Sequence, residues 1–489
     1  MLRKVCSVTS WGAVALCSIV VVSGCDQLGI GSGRVIDNSN ASLKAFESEG
    51  ALEDYLQSQL QAQSQRMDGT VVLEDGFTDG VAADGAADLG GAGGRAEVEN
   101  APAPVSDQSG NTVLGESADG DDFSGTTTQE SGVDEADVVK TDGRYIYVLS
   151  HGTLKIIQAV PAETMATVGE VDIEGYGRDM YLRDGQVTIL SDSYSGFIAL
   201  PVKEEEIAVD SDEPIVVDST DDVDIDVISL PYEPVRPGAM VTVVDVSEPD
   251  NPVVLSKTRF DGNVASSRMI DGELHLVLAT YDYFYYDIMP RYGQTDFDPT
   301  AVDSDAILPS FAHSDQDGNV TEGKALTWES LYRPTEPDGF GVVTVVSMQP
   351  SAALEFKAVG VLAQPGNVYS SKETLYLTDT DYDFSGNVRE TTNIYKFVYG
   401  EDGPVPVAAG AVPGRVLNQY SMGEHNGFLR VATTQGPQFG FAGQVAPSTN
   451  QVYVLEEVEG ELAIVGSVED IAEGESIQSA RFVGDRGFV

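Results

Sequence analysis

Residues 142–150 read DGRYIYVLS, a turn signal followed by a run of aromatic and branched residues. The phrase returns as DGQVTILS at 184–191, DGELHLVLAT at 271–280 and NGFLRVATT at 426–434. Asp-Gly and Asn-Gly suit two-residue hairpin loops, because both residues tolerate positive φ. Each phrase is followed by a longer connection and two more β-rich runs, giving a repeat of about 45–60 residues. The spacing predicts an all-β fold, a β-propeller of four-stranded blades.

Working outward, blade one covers roughly 133–173, with strands near DVVKTDG, YIYVLS, LKIIQAV and TVGEVDI. Blade two opens at RDMYLRDG (178–185), is interrupted by an acidic insert at 200–237, and resumes at Met240. Blade three opens at SSRMIDG (266–272), carries a long aromatic insert at 281–339, and resumes at FGVVTVVSM. Blades four and five open at NVYSSKE (367–373) and LNQYSMGEHNG (417–427). In every blade the insertion is read between the second and third strands, which would put all insertions on one face. SIQSARFVGDRGFV at 476–489 starts a sixth unit with a turn at Gly484-Asp485. A closed ring needs its last blade completed, so a C-terminal truncation is expected. The alternative is that the stub completes blade one by exchanging a strand.

The chain begins with Arg3 and Lys4, an apolar stretch from Trp11 to Val22, and the sequence VSGC at 22–25. This is a secretion signal over 1–24, and its end resembles the lipobox of bacterial lipoproteins. The resemblance implies lipidation of Cys25 and attachment to a membrane through that lipid. Acyl chains hold firmly, at about 0.8 kcal/mol per buried CH₂. Cys6 and Cys17 lie in the signal, so no thiol follows Cys25. Residues 25–41 read as a polar tether. In 42–66, Leu43, Phe46, Leu52, Tyr55, Leu56 and Leu60 fall near helical spacing, with Gly50 expected to split the segment into two short helices. Residues 67–130 are rich in Gly, Ala, Asp and Ser and read as a disordered linker that gives the domain reach from the membrane. The propeller domain is placed at 131–489.

Several strings together resemble a family of secreted bacterial and archaeal proteins with a C-terminal β-propeller domain distantly related to WD repeats. They are ESGVDEADVVKTDGRYIYVLS, TTNIYKF, AVPGRVLNQYSMGEHNGFLRVATT and IQSARFVGDRGFV. LKAFESEGALEDYLQSQL resembles the family's short N-terminal helical segment. MVTVVDVSEPDNPVVL is similar to an LVIVD-type propeller repeat. The resemblance implies the fold and export, and brings no catalytic set or cofactor.

Acidic residues outnumber basic ones 79 to 27, for a net charge of −52, which argues against a nucleic-acid partner. Asp379, Asp381 and Asp383 alternate as calcium-loop ligands do, although Gly386 comes too late for an EF-hand and no closing Glu follows. Asp315, Asp317, Asn319 and Glu322 form a weaker match, as do Asp134, Glu135 and Asp137. The four histidines, His151, His275, His313 and His425, form no metal-protease spacing, and no G-x-S-x-G elbow occurs. Tyr281, Tyr283, Phe284, Tyr285 and Tyr286 crowd one insert, a pattern suited to a protein or glycan contact. The expectation is therefore a lipid-anchored binding or scaffold module, not an enzyme, for an envelope protein or glycan. It would face the periplasm or exterior and need no cofactor, with calcium as the one candidate ion. The alternative is a calcium-dependent hydrolase or lyase using carboxylates in the central channel.

Overall fold

Five antiparallel four-stranded meanders follow one another along the chain in the computed structural model. It describes residues 42–68, 114–115, 123–124, 128–193, 237–280, 304–335, 341–383, 389–439 and 445–489. Blade one comprises Val139–Thr141, Tyr145–Ser150, Thr153–Gln158 and Ala166–Asp172. Blade two comprises Tyr176–Arg183, Gln186–Ser193, Gly238–Asp245 and Val253–Asp261. Blade three has Asn263–Ile270, Glu273–Thr280, Val342–Met348 and Phe356–Leu362. Blade four has Val368–Ser370, Thr374–Asp383, Arg389–Gly400 and Gly403–Pro413. In blade five the first strand is split into Arg415–Val416 and Met422–His425 around a 3₁₀ turn, followed by Phe428–Gln435, Thr449–Val458 and Glu461–Ile471.

The turn chemistry explains the hairpins. Asp184 and Gly185 have φ of 48° and 75°, Asp271 and Gly272 50° and 94°, and Asn426 and Gly427 53° and 81°. Positive φ at both central residues is the type I′ signature that matches strand twist. Blade one departs by one residue. There the Asp142 carboxylate accepts from the amides of Arg144 (2.9 Å) and Tyr145 (2.7 Å), which makes Asp142 the first corner of the turn. Gly143, at φ 91°, and Arg144 then form its centre, the type II′ pattern with glycine first.

Strand sequences follow packing on both faces. Gly238–Asp245 and Val342–Met348 are buried almost throughout, because each inner blade is sandwiched between neighbours. Tyr147, Leu154, Ile156, Ile189 and Val244 fill the space between blades one and two. Tyr181, Phe260, Leu276 and Val346 do so between two and three, and Tyr376, Ile394, Leu429 and Tyr453 between four and five. At about 25 cal/mol per Å² of apolar surface, these interfaces hold neighbouring blades together.

Three expectations are corrected. Blade one has no insertion: its second and third strands are joined by the two-residue loop His151-Gly152 (φ 51° and 80°). Residues 42–66 are not two helices. Leu43–Ala45 is a strand, and a single helix spans Glu49–Asp68. Ser48 caps that helix, its Oγ accepting the Ala51 amide at 3.1 Å. Gly50 falls in the first turn, where amides have no intrahelical partner anyway, so it breaks nothing. Thirdly, this N-terminal segment is docked on blade three. Linker 67–130 therefore joins two segments placed on the same domain, and cannot be the spacer that gives the propeller its reach. The alternative of strand exchange is set aside: Arg481–Val483 and Arg486–Phe488 pair with each other and not with blade one.

Blades two and three are wider than four strands because the blade-three insertion returns to their outer edges. Ser310–Asp315 pairs with the outer strand of blade two and carries Val320–Lys324 as a hairpin partner. Leu331–Pro334 runs parallel to the outer strand of blade three, and Leu43–Ala45 pairs antiparallel with it. Covering an edge in this way removes its open hydrogen-bonding row.

Candidate functional site: the axial segment and the insertion-bearing face

The stretch just before the first strand, Gln129–Asp137, meets the innermost strands of blades two to five and then runs into that of blade one. Val133–Asp134 pairs with Ile270 and Met269 of blade three. Asp137 exchanges backbone hydrogen bonds with Met180 of blade two (3.2 and 2.9 Å). The Glu130 carboxylate accepts from the Tyr369 hydroxyl of blade four at 2.7 Å. The Gln129 side-chain amide donates to the carbonyls of Gln419 and Met422 in blade five, each at 3.2 Å. Gly132, at φ 78°, turns the chain into this path.

Buried charges along the segment each have partners. Lys140 donates to Asp134 Oδ1 at 3.0 Å and to the Glu135 carbonyl at 2.7 Å. Arg268 of blade three donates to the Ser267 carbonyl and to Gln419 Oε1, both at 2.6 Å, and lies 3.8 Å from Glu135. Tyr181 donates to Ser267 at 2.8 Å, joining blades two and three. Glu424 joins blades four and five. Its carboxylate accepts from Ser371 (2.8 Å), Thr374 (2.6 Å) and Tyr376 (3.2 Å), while its amide donates to the Tyr369 hydroxyl at 2.8 Å.

Burial raises the Glu130 carboxyl above the usual range; the Tyr369 hydrogen bond opposes this and the Glu424 charge adds to it. Burial likewise raises Asp179, with Arg178 opposing and Asp137 adding. Tyr369 and Tyr376 are pushed up by burial and by their carboxylate neighbours, so both stay protonated donors. Chemically, this is a set of committed hydrogen bonds that locks inner strands together. Among the described residues no three His, Cys, Asp or Glu side chains gather as metal ligands.

The sequence candidates fall as follows. Cys25, Tyr281, Tyr283, Phe284, Tyr285 and Tyr286 lie outside the described residues, as do most of the acidic insert and the linker. Asp379, Asp381 and Asp383 lie on a strand rather than a loop, opposite Asn393, Thr391 and Arg389. Two-residue spacing sets their backbones about 6.5 Å apart along the strand. Asp379 accepts the Gln364 amide at 3.1 Å and Asp381 the Asn393 side-chain amide at 2.8 Å; the Asp383 side chain is not among those described. Asp315 is likewise engaged in its own hairpin turn, accepting from Asp317, and from the backbone and side chain of Asn319. Asp134 and Glu135 serve the axial segment.

Sequence reasoning missed Gln129, Glu130, Arg268, Tyr369 and Glu424, whose partners lie far away along the chain. The available signal was the string ESGVDEADVVK, singled out as part of a resemblance but not as an axial element.

Because the first strand is innermost in all five blades, and each outer strand passes quickly to the next inner one, all first strands run the same way. The second-to-third-strand connections then emerge at one end of the ring and the first-to-second turns at the other. The three longer connections, 194–237, 281–341 and 436–448, leave and rejoin their blades at the first of these ends.

A family model described as a beta propeller domain matches residues 123–489. An uncharacterised protein of Methanocaldococcus jannaschii is 21% identical over 428 residues, covering 75% of this chain and 57% of that protein. An uncharacterised protein of Archaeoglobus fulgidus is 42% identical over 79 residues, 16% of this chain and 11% of that protein. The chain thus spans little more than half of the first relative's length and about a tenth of the second's. With the family model covering most of its length and five radial blades in its fold, this chain belongs to the beta propeller domain family.

Proposed function

We propose that this propeller is a lipid-anchored, extracytoplasmic binding or scaffold module whose partner, an envelope protein or glycan, docks on the insertion-bearing face. The observation that carries the reading is the common orientation of the blades, by which all three longer connections leave and rejoin the blades at one end of the array. The axis supports it from the other side. Its described carboxylates are engaged with Lys140, Arg268, Tyr369 and the hydroxyls around Glu424, so the axial face is committed to the fold itself. A repeat array commonly binds through the face where its insertions gather. Tyr281, Tyr283, Phe284, Tyr285 and Tyr286 give one of these connections the aromatic content typical of interface anchors.

The test is affinity capture from native membranes with the full chain and with those five aromatics changed to Ser. A partner captured by the first and lost by the second supports the reading; equal capture by both defeats the assignment of the face. Membrane fractionation and intact mass of a Cys25→Ala variant test the anchor separately: loss of the acyl mass and release from the membrane are expected.

A further inference from the structure

The insertion of blade three builds a surface that holds a strand and a helix, and its occupant here is the chain's own N-terminal segment. Leu43, Lys44 and Ala45 pair with Pro334, Arg333 and Tyr332. Ser42 and Thr335 hydroxyls meet at 2.6 Å beside this ladder. Ser48 then turns the chain into the helix, whose Leu52, Tyr55 and Leu56 fall at i, i+3 and i+4, one face. Leu52 and Leu56 are fully buried, in a cluster with Phe46, Ile307, Leu308, Leu326 and Leu331. The Arg333 guanidinium lies 4.8 Å from the Tyr55 ring centre and 5.7 Å from that of Phe46, and the two rings meet edge to face. Ser304 donates to Glu49 at 3.0 Å, tying the helix start to the insertion a second time.

We infer that residues 42–59 are a self-sufficient clasp, held in cis on the blade-three insertion by its own contacts rather than by the chain that connects it to the blades. Strand addition supplies backbone hydrogen bonds and the buried leucines supply apolar surface, the two components of peptide recognition at a sheet edge and in a groove. Covalent connection favours this occupant over any copy in trans by raising its effective concentration. A consequence is that Ser42 stands at the outer edge of blade three, not at the axis.

The test inserts a protease site between Gly90 and Gly91 of the full chain and follows the two pieces by gel filtration after cleavage. The clasp predicts that the N-terminal piece co-elutes with the propeller at micromolar concentration. In a Leu52→Asp, Leu56→Asp version the cleaved piece should separate, with at least a tenfold loss of co-eluting material, while the uncut variant keeps the strand signal of the blades. Separation of the wild-type piece on cleavage overturns the inference. So does retention of the double variant's piece, which would place the contact elsewhere. A dimer of the uncut chain that exchanges its N-terminal segments would overturn the cis assignment. Should the double variant fail to fold, the behaviour of the cleaved wild-type chain decides alone.

Discussion

Replacing Glu424 separates the role of the axial hydrogen bonds from that of apolar packing. Its carboxylate takes three hydroxyl donors from blade four: Thr374 at 2.6 Å, Ser371 at 2.8 Å and Tyr376 at 3.2 Å. Thr374 and Tyr376 are 6% and 1% exposed, so their hydroxyls have little water to turn to, whereas Ser371 is half-buried. A buried group left without its partner costs about 1–3 kcal/mol. Thr374 keeps the Ser371 Oγ, 2.7 Å away, as a partner, so Tyr376 bears most of the loss and Glu424→Ala should lower stability by about 2–3 kcal/mol. Glu424→Gln keeps one acceptor oxygen and the side chain's volume, losing mainly the charge assistance, so about 1–2 kcal/mol is expected. The backbone bond to Tyr369 survives both changes. The assay is urea unfolding followed by far-UV circular dichroism, with the shift in midpoint converted through the measured slope. An alanine variant within about 0.5 kcal/mol of wild type would refute the reasoning, since it would mean that the Glu424 hydrogen bonds contribute nothing to joining blades four and five. So would a glutamine variant as damaging as alanine.

Acid should act on the protein partly through His275. Burial lowers its pKa from 6.5 to about 4, so between those values the unfolded chain takes up a proton that the folded one refuses. Stability is then lost as pH falls through that window, by about 3 kcal/mol in full. His275→Asn, which can keep a hydrogen bond to Ser347, should abolish this slope in pH-dependent melting; an unchanged slope contradicts the assignment. Raised carboxyls at Glu130, Asp179 and Glu273 act with the opposite sign, favouring the fold as they are protonated. Gly410→Ala should cost about 1–3 kcal/mol, because a Cβ there would collide with the Leu462 carbonyl where blades four and five meet; a melting temperature equal to wild type would count against that close approach. Asp379→Ala should reduce stability by unpairing the Gln364 amide while leaving calcium uptake, measured by titration calorimetry, the same as wild type. A loss of calcium binding would restore the strand aspartates as ligands.

The blades were legible because each records itself locally. Asp184-Gly185, Asp271-Gly272 and Asn426-Gly427 demand positive φ, and the runs after them are too β-rich and too short for helices. Blade one shows the limit of that signal: Asp142 has the right identity, but its carboxylate captures two amides and moves the turn by one residue. The helix beginning at Glu49 was legible from its apolar spacing, whereas Leu43–Ala45 was not, since a three-residue strand exists only because Leu331–Pro334 offers it an edge. The axial segment was hidden for the same reason. Nothing in Gln129 or Glu130 announces a partner, and those partners, Gln419, Met422 and Tyr369, come more than two hundred residues later. Alternating aspartates carry an ambiguous signal. The period that suggests a metal loop is also the period of one strand face.

The most direct test of the binding account places a photo-crosslinking residue at each end of the ring in turn. Positions 193 and 435, where second strands end, probe the end at which the long connections emerge, and positions 184, 271 and 426 probe the turns at the opposite end. Irradiation in native membranes, followed by mass spectrometry of the adducts, should give one recurrent macromolecular partner from the first set and only scattered envelope proteins from the second. A recurrent partner captured from the turns at 184, 271 and 426, and not from 193 or 435, would contradict the account.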